Sequence, residues 1–557
     1  MKVLVFIKQI PDISDVKYDH ETKRIIRTNV KLMINSFDKK AVEAAIQLKE
    51  KYGMETYVAS MGPPSAEDII TDSLKMGIDH GILITDKQFA GADTYITARI
   101  LSHVVKLMGP DIVLTGKYSL DGETSQVPPE ISYFSNYNFI SSVSNIEING
   151  AKLLLERDED YGIRKIMADL PAVISVSEKI NRARPVPDIE INNDIKIIDS
   201  KKITINGRDS LTVVKNTSML NSSRNCKFID FKDLLQILDE NKGIHVIDKY
   251  KNLDDYGNDS IFLGLAIDEP ITSMEIASKI AEISNMKIVI IGNINPEKID
   301  GIACHEYIYL KNPDIFYFSK YVSEYIKSND VKHVLAPSNL NGRDIASLVA
   351  ASLNLGLTAD CIDISLVDNK MIQYKPAFGG GIIAEIISKT TPDIATARQG
   401  MFRIKFKNYN ARVIMEKIEN ERNRTLGYEE SKFPALNTRI IMGAGRGVKR
   451  EYIEKLREIS GMMHASLGGT RKIVDMHFMP RQVQIGLTGI SISPDIYINI
   501  GASGADNHIV GIRYAKKIIS INNDRNANIF KYSDYGIIMD SSDFIDRLFD
   551  YVKSNHS

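Results

Sequence analysis

Apolar strand-like runs alternate with amphipathic helical segments through the first 180 residues, and this alternation constrains the fold more than any other feature of the chain. KVLVFIK (2–8) is short, apolar and rich in β-branched residues, as is typical of a strand buried on both faces. DKKAVEAAIQLKEKYG (38–53) carries apolar residues at helical spacing, and Ser65 with Asp68 has the spacing of a helix capping box. The alternation predicts a parallel sheet covered by helices on both faces.

The same order of elements returns about 220 residues further along the chain. Residues 77–116 and 301–337 each contain a glycine, a strand, a loop with an aspartate, an amphipathic helix and an apolar strand. In both copies a polar loop that holds a glycine and an acidic residue then leads into another helix. The repeat predicts two domains of one fold.

The last 120 residues show a third series of strands and helices, with a predicted helix at 448–461 and a closing helix at 541–553. We therefore predict an α/β protein of three doubly wound, mostly parallel domains. The predicted boundaries are 1–190 for the first domain, 191–225 for an extended arm or linker, 226–415 for the second domain and 434–557 for the third.

Composition and charge exclude several classes of protein. The formal net charge of −1 gives no overall field that would attract nucleic acid. Cys226, Cys304 and Cys361 are widely spaced, and the histidines show no metal-binding spacing, so we predict neither a disulfide framework nor a metal site. The apolar run after Met1 is too short for a signal peptide, and no segment approaches the ~20 apolar residues of a membrane helix. We expect a cytoplasmic protein that does not span a membrane.

Glycine, hydroxyl and amide residues follow the predicted strands of the third domain. Ligands of open α/β sheets bind at the carboxyl ends of the strands, where helix N-termini present free N–H groups. Each position alone is typical of a turn or a helix cap, but their convergence on one edge favours a nucleotide. The positions are Gly443–Gly447, Thr488–Gly489, Gly501–Gly504, Asn522 and Asp540.

The same domain lacks the signatures of an enzyme that performs its own chemistry. GAGRG (443–447) does not have the spacing of a dinucleotide-binding fingerprint, and no acidic residue follows at the required distance. Its serines lie outside any nucleophile-elbow pattern. The domain is therefore predicted to hold a cofactor, with no catalytic residue of its own.

Taken together, the motifs resemble those of an electron-transfer flavoprotein whose β and α subunits are fused, with the β part first. The resemblance covers nearly the whole chain. On the β side it rests on VLVFIKQIPD, INSFDKKAVEAA, DIVLTGKYSLDGETSQVPPE and LPAVISVSEKINRARPVP. On the α side it rests on NGRDIA, GLTADC, KPAFGGGI, ATARQGMF, GAGRGV, GGTRKIVD, QIGLTG, GASGADNHIVG, SINND and DYGIIMD. The resemblance implies two adenine-nucleotide-hydrolase-like domains and a C-terminal FAD-binding domain of the deoxyhypusine-synthase-like type.

The resemblance also implies which residues contact FAD. Arg471 resembles the arginine over the flavin ring, Thr488 the hydroxyl near N5 and His508 the histidine near O2, so these three are expected to tune the potential. Leu487 departs from the family pattern, which has glutamine there. The implied contacts are Arg446, Thr470, Arg471, Ile485, Gly486, Leu487, Thr488, Ser503, Gly504, Ala505, Asp506, Asn507, His508, Asn522 and Asp540.

A second nucleotide site is implied in the first domain, where members of the family hold either AMP or a second FAD. The sequence DGETSQVPP is closer to the type that holds FAD, although Pro128 replaces a glycine, and we expect FAD. The implied residues are Phe6, Asn35, Ser36, Phe37, Asp38, Met61, Gly116, Asp121, Gly122, Glu123, Thr124, Ser125, Gln126 and Val127. The second domain is expected to be an empty counterpart.

The resemblance implies an electron carrier that is not itself an enzyme. Its expected donors are dehydrogenases such as acyl-CoA dehydrogenase, and its expected acceptor is a membrane quinone oxidoreductase or a FixCX-like protein. One alternative is an electron-bifurcating protein that oxidises NADH and holds two FAD. An alternative from another class is an NAD-dependent enzyme on the deoxyhypusine-synthase-like fold, and a third is an adenine-nucleotide sensor.

Overall fold

The computed structural model describes the chain except for short segments. The residues outside the description are 13–16, 20–23, 27–30, 160–161, 192–194, 220–223, 243–248, 251–252, 254–258, 312, 378–380, 409, 418–421, 431–435, 437, 487–488 and 556–557.

The first domain and the arm supply the following elements in chain order. The first domain contains β1 (Lys2–Ile7), β2 (Gln9–Pro11), β3 (Lys17–Asp19), β4 (Arg24–Ile26), β5 (Leu32–Ile34), α1 (Ser36–Tyr52), β6 (Glu55–Met61), α2 (Glu67–Met76), β7 (His80–Ile84), α3 (Thr94–Met108), β8 (Ile112–Gly116), α4 (Val127–Ser135), β9 (Asn138–Asn149), β10 (Lys152–Glu159), β11 (Gly162–Asp169) and β12 (Ala172–Val176). The arm contains β13 (Ile195–Ile198) and β14 (Thr212–Met219).

The remainder of the chain supplies the elements of the other two domains. Residues 226–430 contain β15 (Lys227–Phe228), α5 (Phe231–Lys242), β16 (Lys249–Tyr250), β17 (Ile261–Ala266), α6 (Pro270–Ile283), β18 (Lys287–Gly292), β19 (Glu306–Lys311), α7 (Ile315–Ser328), β20 (Val331–Pro337), α8 (Leu340–Leu353), β21 (Leu357–Cys361), β22 (Asp363–Val367), β23 (Lys370–Ala377), β24 (Ile382–Ser388), β25 (Asp393–Ala397), β26 (Phe406–Lys407), β27 (Arg412–Lys417) and β28 (Arg424–Glu430). The third domain contains β29 (Ile440–Ala444), α9 (Tyr452–Met462), β30 (Ser466–Thr470), α10 (Arg471–Asp475), β31 (Gln484–Ile485), β32 (Ile496–Ile500), α11 (Asp506–Ile512), β33 (Lys517–Asn522), β34 (Tyr535–Ile538) and α12 (Ser541–Asn555).

The first two domains share one topology, which confirms the predicted repeat. The first sheet has the order β13-β7-β6-β1-β8-β12-β9, continued by β10, β11 and β28. The second has the order β27-β19-β18-β17-β20-β25-β21. Read in this direction the two orders correspond strand for strand, and every pair within the two shared orders is parallel.

The third domain is built around a wholly parallel sheet in the order β15-β34-β33-β32-β29-β30-β31. Its central strand IYINI (Ile496–Ile500) is buried along its full length, because helices cover both faces. The fold class predicted from the sequence, α/β with mostly parallel sheets, is therefore confirmed.

The arm contributes a strand to more than one domain. β13 extends the first sheet beside β7, whereas β14 pairs with β24 in a second-domain sheet of antiparallel strands. β15, a few residues beyond the arm, pairs with β34 of the third domain. In addition, β28 pairs with β11 and so ties the segment before the third domain to the first sheet. Strands of the arm thus pair with the first and second domains, and β28, which precedes the third domain, pairs with the first.

Some local expectations differ from the structure. Ser65 does not cap α2, because it lies within a short 3₁₀ turn at Pro64–Ala66 that leads into the helix. Its hydroxyl donates to Gln9 Oε1 at 3.0 Å. The helix predicted at 448–461 begins at Tyr452, after a loop. Although the predicted second domain begins at 226, Leu234 and Leu238 of α5 pack into the hydrophobic core of the third.

Candidate functional site

The predicted FAD contacts of the third domain gather at one edge of its sheet. All its strands are parallel, so their carboxyl ends lie side by side, and the loops with the predicted residues follow those ends. Side-chain contacts link neighbouring loops: Asn522 Nδ2 donates to Ala502 O at 3.1 Å, and Ser541 Oγ donates to Gly447 O at 2.6 Å. The edge therefore forms one continuous surface.

Two of the loops fit together through backbone alone. Gly445 N donates to Ile500 O at 2.8 Å, and Gly447 N donates to Gly501 O at 2.9 Å. A Cβ atom at Gly445 would lie 2.4 Å from the Ala502 Cα atom, so the close approach requires glycine. The glycines of GAGRG and GASG thus hold two strand ends together.

Groups that suit an anion are exposed at this edge. Ser503 and Ala505–Asn507 are exposed at the start of α11, and the first N–H groups of a helix have no partner within it. Arg446 is exposed after β29. Arg471 is also exposed, with its Nε 3.5 Å from Asp475 Oδ2. These donors fit the charge of a dinucleotide pyrophosphate.

The remaining predicted residues have the following places. Thr470 is buried at the end of β30, Ile485 is buried at the end of β31 with Gly486 directly after it, and Gly504 is buried before α11. Asp540 is exposed, and its Oδ1 accepts the Ser542 N–H at 2.8 Å. Leu487 and Thr488 lie outside the described residues, so the loss of the family's glutamine at 487 receives no structural account.

His508 is buried beneath the loop after β31. Its Nδ1 lies 3.2 Å from Ile485 O and its Nε2 lies 3.1 Å from Tyr497 Oη. Burial lowers the pKa of His508 to about 4, so the imidazole is neutral near pH 7. Arg471, which is largely exposed, is the positive charge among the residues predicted to tune the flavin.

The family models identify the kind of protein that has this edge. Residues 22–202 and 300–422, together more than half of the chain, match the electron transfer flavoprotein domain. The chain belongs to the electron transfer flavoprotein family. Residues 436–513 match the electron transfer flavoprotein FAD-binding domain, which supports FAD as a cofactor. The electron transfer flavoprotein β-type half therefore precedes the α-type FAD-binding domain in one chain.

Curated relatives agree with this assignment. The electron transfer flavoprotein subunit beta of Thermoanaerobacterium thermosaccharolyticum is 39% identical over 223 residues, which are 40% of this chain and 85% of that protein. Protein FixB of Clostridium saccharobutylicum is 36% identical over 225 residues, 38% of this chain and 67% of the relative. The caffeyl-CoA reductase-Etf complex subunit CarD of Acetobacterium woodii is 35% identical over 186 residues, 33% of this chain and 71% of the relative.

Within the described part of the chain, none of the helices combines the length and hydropathy that crossing a bilayer requires. No group of three or more histidine, cysteine or acidic side chains in the same residues is placed to hold a metal ion.

In the first domain, residues 117–126 form the loop between β8 and α4, which carries several of the predicted nucleotide residues and is contacted by the start of α1. Asn35 Nδ2 donates to Tyr118 O at 2.9 Å, and Asn35 Oδ1 accepts the Leu120 N–H at 3.3 Å. Phe37, in the first turn of α1, lies with its ring 4.7 Å from the Tyr118 ring. Contacts with Asn35 and Phe37 therefore fix the conformation of the loop.

Asp38 anchors the start of the same loop. Its carboxylate accepts the Lys8 N–H at 2.8 Å and the Gly116 N–H at 3.2 Å, and burial raises its pKa to about 7. Lys8 Nζ contacts Asp121 Oδ2 at 2.7 Å, which fixes the middle of the loop.

The other predicted residues surround this loop. Phe6 is buried in β1, and Met61 ends β6, the neighbouring strand. Glu123 and Ser125 have positive φ values of 51° and 57°, which turn the loop sharply. Ser36 begins α1, Val127 begins α4, and the loop between β8 and α4 also contains Gly122, Thr124 and Gln126.

Beyond the loop lies a charged cluster that the sequence did not assign to the site. Arg343 Nη1 donates to Ser125 Oγ at 3.4 Å, and Arg343 Nη2 donates to Asp360 Oδ1 at 3.0 Å. Arg398 Nη2 donates to Asp360 Oδ2 at 2.5 Å, and the two guanidinium groups hold the pKa of Asp360 well below its usual range. Arg343, Asp360 and Arg398 lie in the motifs NGRDIA, GLTADC and ATARQGMF, on which the resemblance rests. A single sequence does not show that residues about 200 positions apart are in contact.

Lys375 adds a third cation to this cluster. It is buried, and its Nζ has no hydrogen-bond partner among the described atoms. Burial lowers its pKa, whereas Asp360 and Glu123 favour the charged form. A cavity of about 1490 Å³ adjoins the cluster and reaches Tyr118, Glu123 and the third-domain loop 489–495.

The second domain lacks the nucleotide loop of the first. Only two residues separate β20 from α8, whereas residues 117–126 separate β8 from α4. The start of α8 is instead contacted by the first domain: Arg157 Nη2 lies 2.7 Å from Asn341 Oδ1 and 3.2 Å from Asp344 Oδ2. The start of α8 therefore packs against the first domain. In the first domain, the equivalent helix α4 is preceded by the loop 117–126.

Proposed function

We propose that this chain is an electron carrier that binds FAD at the carboxyl edge of the third-domain sheet. The observation that carries the proposal is the convergence of donors at that edge, within the segment that matches the FAD-binding domain. Arg446 and the N–H groups at the start of α11 would hold the pyrophosphate, because both suit a negative charge. Asn522 and Asp540, at the ends of neighbouring strands, would bind the polar groups beyond it.

FAD, when bound, supplies reversible electron uptake and release. The residues of the chain orient it and set its electrostatic surroundings. Arg471, at the start of α10, would place a positive charge beside the ring, whereas His508 would contribute a neutral imidazole. Thr470 and Ile485 close the buried side of the site.

The test of the FAD site uses the purified full chain. We expect a visible flavin spectrum and FAD in the extract. Arg446→Ala should weaken FAD binding by about ten- to a hundredfold, since a charged hydrogen bond contributes about 1.5–3 kcal/mol. Arg457→Ala is the matched control, because Arg457 is an exposed arginine of the same domain whose partner is Glu454 on its own helix. Equal affinity in both variants would contradict the role of Arg446.

We further propose that the first-domain site holds a second FAD. The support is the cavity beside loop 117–126 and the cluster of Arg343, Arg398 and Lys375 that adjoins it. AMP has one phosphate and no group that would extend from the loop into this space. A second flavin would lie between the first and second domains, within reach of these cations.

The stoichiometry of released cofactors tests the second site. We expect close to two FAD and little AMP per chain. Lys375→Met should lower the second FAD content, whereas Lys370→Met, an exposed position of the same strand, should leave it unchanged. One FAD and one AMP per chain would contradict the proposal. If two FAD are released per chain, reduction of the chain by NADH would favour the bifurcating form of the function over a simple carrier.

Dehydrogenases, such as acyl-CoA dehydrogenase, are proposed as electron donors, and a membrane quinone oxidoreductase or a FixCX-like protein as acceptor. The relative named caffeyl-CoA reductase-Etf complex subunit CarD supports a partner that acts on a CoA thioester. The match to an FAD-binding domain favours this flavin function over the NAD-dependent enzyme considered from the sequence. Stopped-flow reduction of the chain by a candidate dehydrogenase with its substrate tests the donor.

A further inference from the structure

The two ring nitrogens of His508 are both occupied by groups of the protein. Nδ1 lies 3.2 Å from Ile485 O, and Nε2 lies 3.1 Å from Tyr497 Oη. His508 and Tyr497 are buried, Tyr497 with no exposed surface at all. Contacts in such surroundings are shielded from water, which makes their proton positions well defined.

The partners decide where the imidazole proton lies. A backbone carbonyl can only accept a hydrogen bond, so Nδ1 must carry a proton to bond Ile485 O. In a neutral ring Nε2 is then bare, and it accepts the hydroxyl proton of Tyr497. A protonated ring would instead donate from Nε2 and leave a buried charge with no opposite partner in this arrangement. Burial also raises the pKa of Tyr497 well above its usual value, so its hydroxyl stays a donor.

Gly443 provides the space in which the tyrosine hydroxyl lies. A Cβ atom at this position would be 1.8 Å from Tyr497 Oη, closer than any two such atoms can approach. Gly443 lies inside β29, where glycine is less favourable than alanine for the strand itself. The first glycine of GAGRG therefore has a role in packing, separate from the turn that follows it.

We propose that Tyr497 is a positioning residue that holds His508 as the neutral tautomer with its proton on Nδ1, in a space that Gly443 leaves open. The importance of this for the flavin rests on the proposed FAD site. With Nε2 occupied by Tyr497, His508 presents neither a charge nor an Nε2–H donor to the cofactor. The potential of the flavin is then set by the tautomer of His508 together with the charge of Arg471.

The tautomer is measured directly by ¹⁵N NMR of the full chain with labelled histidine, without FAD and with FAD. His508→Gln identifies the resonance of His508 among the 10 histidines. We expect a protonated Nδ1 and a bare Nε2 at pH 6 and above in the chain without FAD. A proton on Nε2, whether in the other tautomer or in the charged ring, would overturn the proposal.

Two variants remove the tyrosine contact by different routes. Tyr497→Phe lacks the hydroxyl, and Gly443→Ala forces it away. Both should convert the single tautomer into a detectable mixture and shift the flavin midpoint potential in the same direction, with FAD still bound. Tyr535→Phe, in another strand of the domain, is the control and should change neither property.

The outcomes separate this inference from the proposed function. If no FAD binds to the unmodified chain, the proposed function fails while the tautomer measurement still stands. If FAD binds and Tyr497→Phe leaves both the tautomer and the potential unchanged, the positioning role is refuted. Should either variant not fold, the tautomer of the unmodified chain remains the deciding observation.

Discussion

Replacement of Asp360 by asparagine gives the sharpest test of the charged cluster between the first and second domains. The Asp360 side chain is 4% exposed and contacts two guanidinium groups, those of Arg343 and Arg398, which are 21% and 11% exposed. Asparagine keeps the shape of the side chain but removes its charge. Arg343, Arg398 and Lys375 then face one another with Glu123 as the nearby acidic group.

The expected loss follows from the burial of the partners. Removal of one member of a buried ion pair costs about 3–5 kcal/mol, because the other charge stays buried without compensation. Since Arg343 retains some contact with solvent, we expect about 3 kcal/mol in the free energy of unfolding. Asp330→Asn is the control, because Asp330 forms an exposed pair with Lys332 at 2.5 Å and should give no measurable change.

The assay is urea unfolding of the chain without cofactors, followed by circular dichroism because the chain contains no tryptophan. Separate transitions are expected for a protein of several domains, so the transition of the first two domains is the one to compare. The pKa of Asp360 is lowered in the folded state, so its contribution is present above its ordinary pKa and is lost only as the pH falls towards the lowered value. A shift no larger than that of Asp330→Asn would refute the reasoning.

Three further predictions follow from the arm and the FAD site. A cut near Ser222, which lies outside the described residues, should leave the halves associated in gel filtration; ready separation would show that the strand pairing of the arm does not hold them. Arg471→Ala should lower the flavin midpoint potential by about 20–40 mV, a value that is small because the side chain is largely exposed, and an unchanged potential would contradict its role. Burial lowers the pKa of His508 to about 4, so its neutral form contributes stability that is full above its ordinary pKa and is lost as the pH falls. Between about pH 7 and about pH 5 the unmodified chain should therefore lose about 2 kcal/mol more stability than His508→Gln, as measured by urea unfolding.

Much of the fold could be predicted because local patterns determine it. The apolar run 2–8 became β1, and the helix predicted at 38–53 became α1, which ends before Gly53 in the left-handed conformation. The capping box at Ser65 failed because a 3₁₀ turn at Pro64–Ala66 precedes α2 and contains Ser65, whose hydroxyl donates to Gln9. A short motif describes local contacts alone, so it does not show the contact that a distant residue makes with the same side chain.

The candidate site likewise has a part that local patterns predict and a part that depends on contacts between distant residues. Loops that follow strands, such as 443–447 and 501–504, could be assigned to one edge because parallel strands end together. The contacts of the His508 ring could not be predicted, because Tyr497 lies eleven residues away and the Ile485 carbonyl belongs to a different strand. Likewise, Arg343 and Lys375 join the first-domain loop through contacts between distant segments that carry no local pattern.

The arm affects how the β-type half and the α-type half of the chain associate. In separate subunits, the pairing of β14 with β24 would depend on the concentrations of both partners. In this chain the same pairing is intramolecular, because the arm that carries β14 is covalently continuous with the domain that carries β24. Dilution therefore leaves the ratio of the halves at one to one and their association unchanged, so the carrier stays assembled however little of it a cell makes.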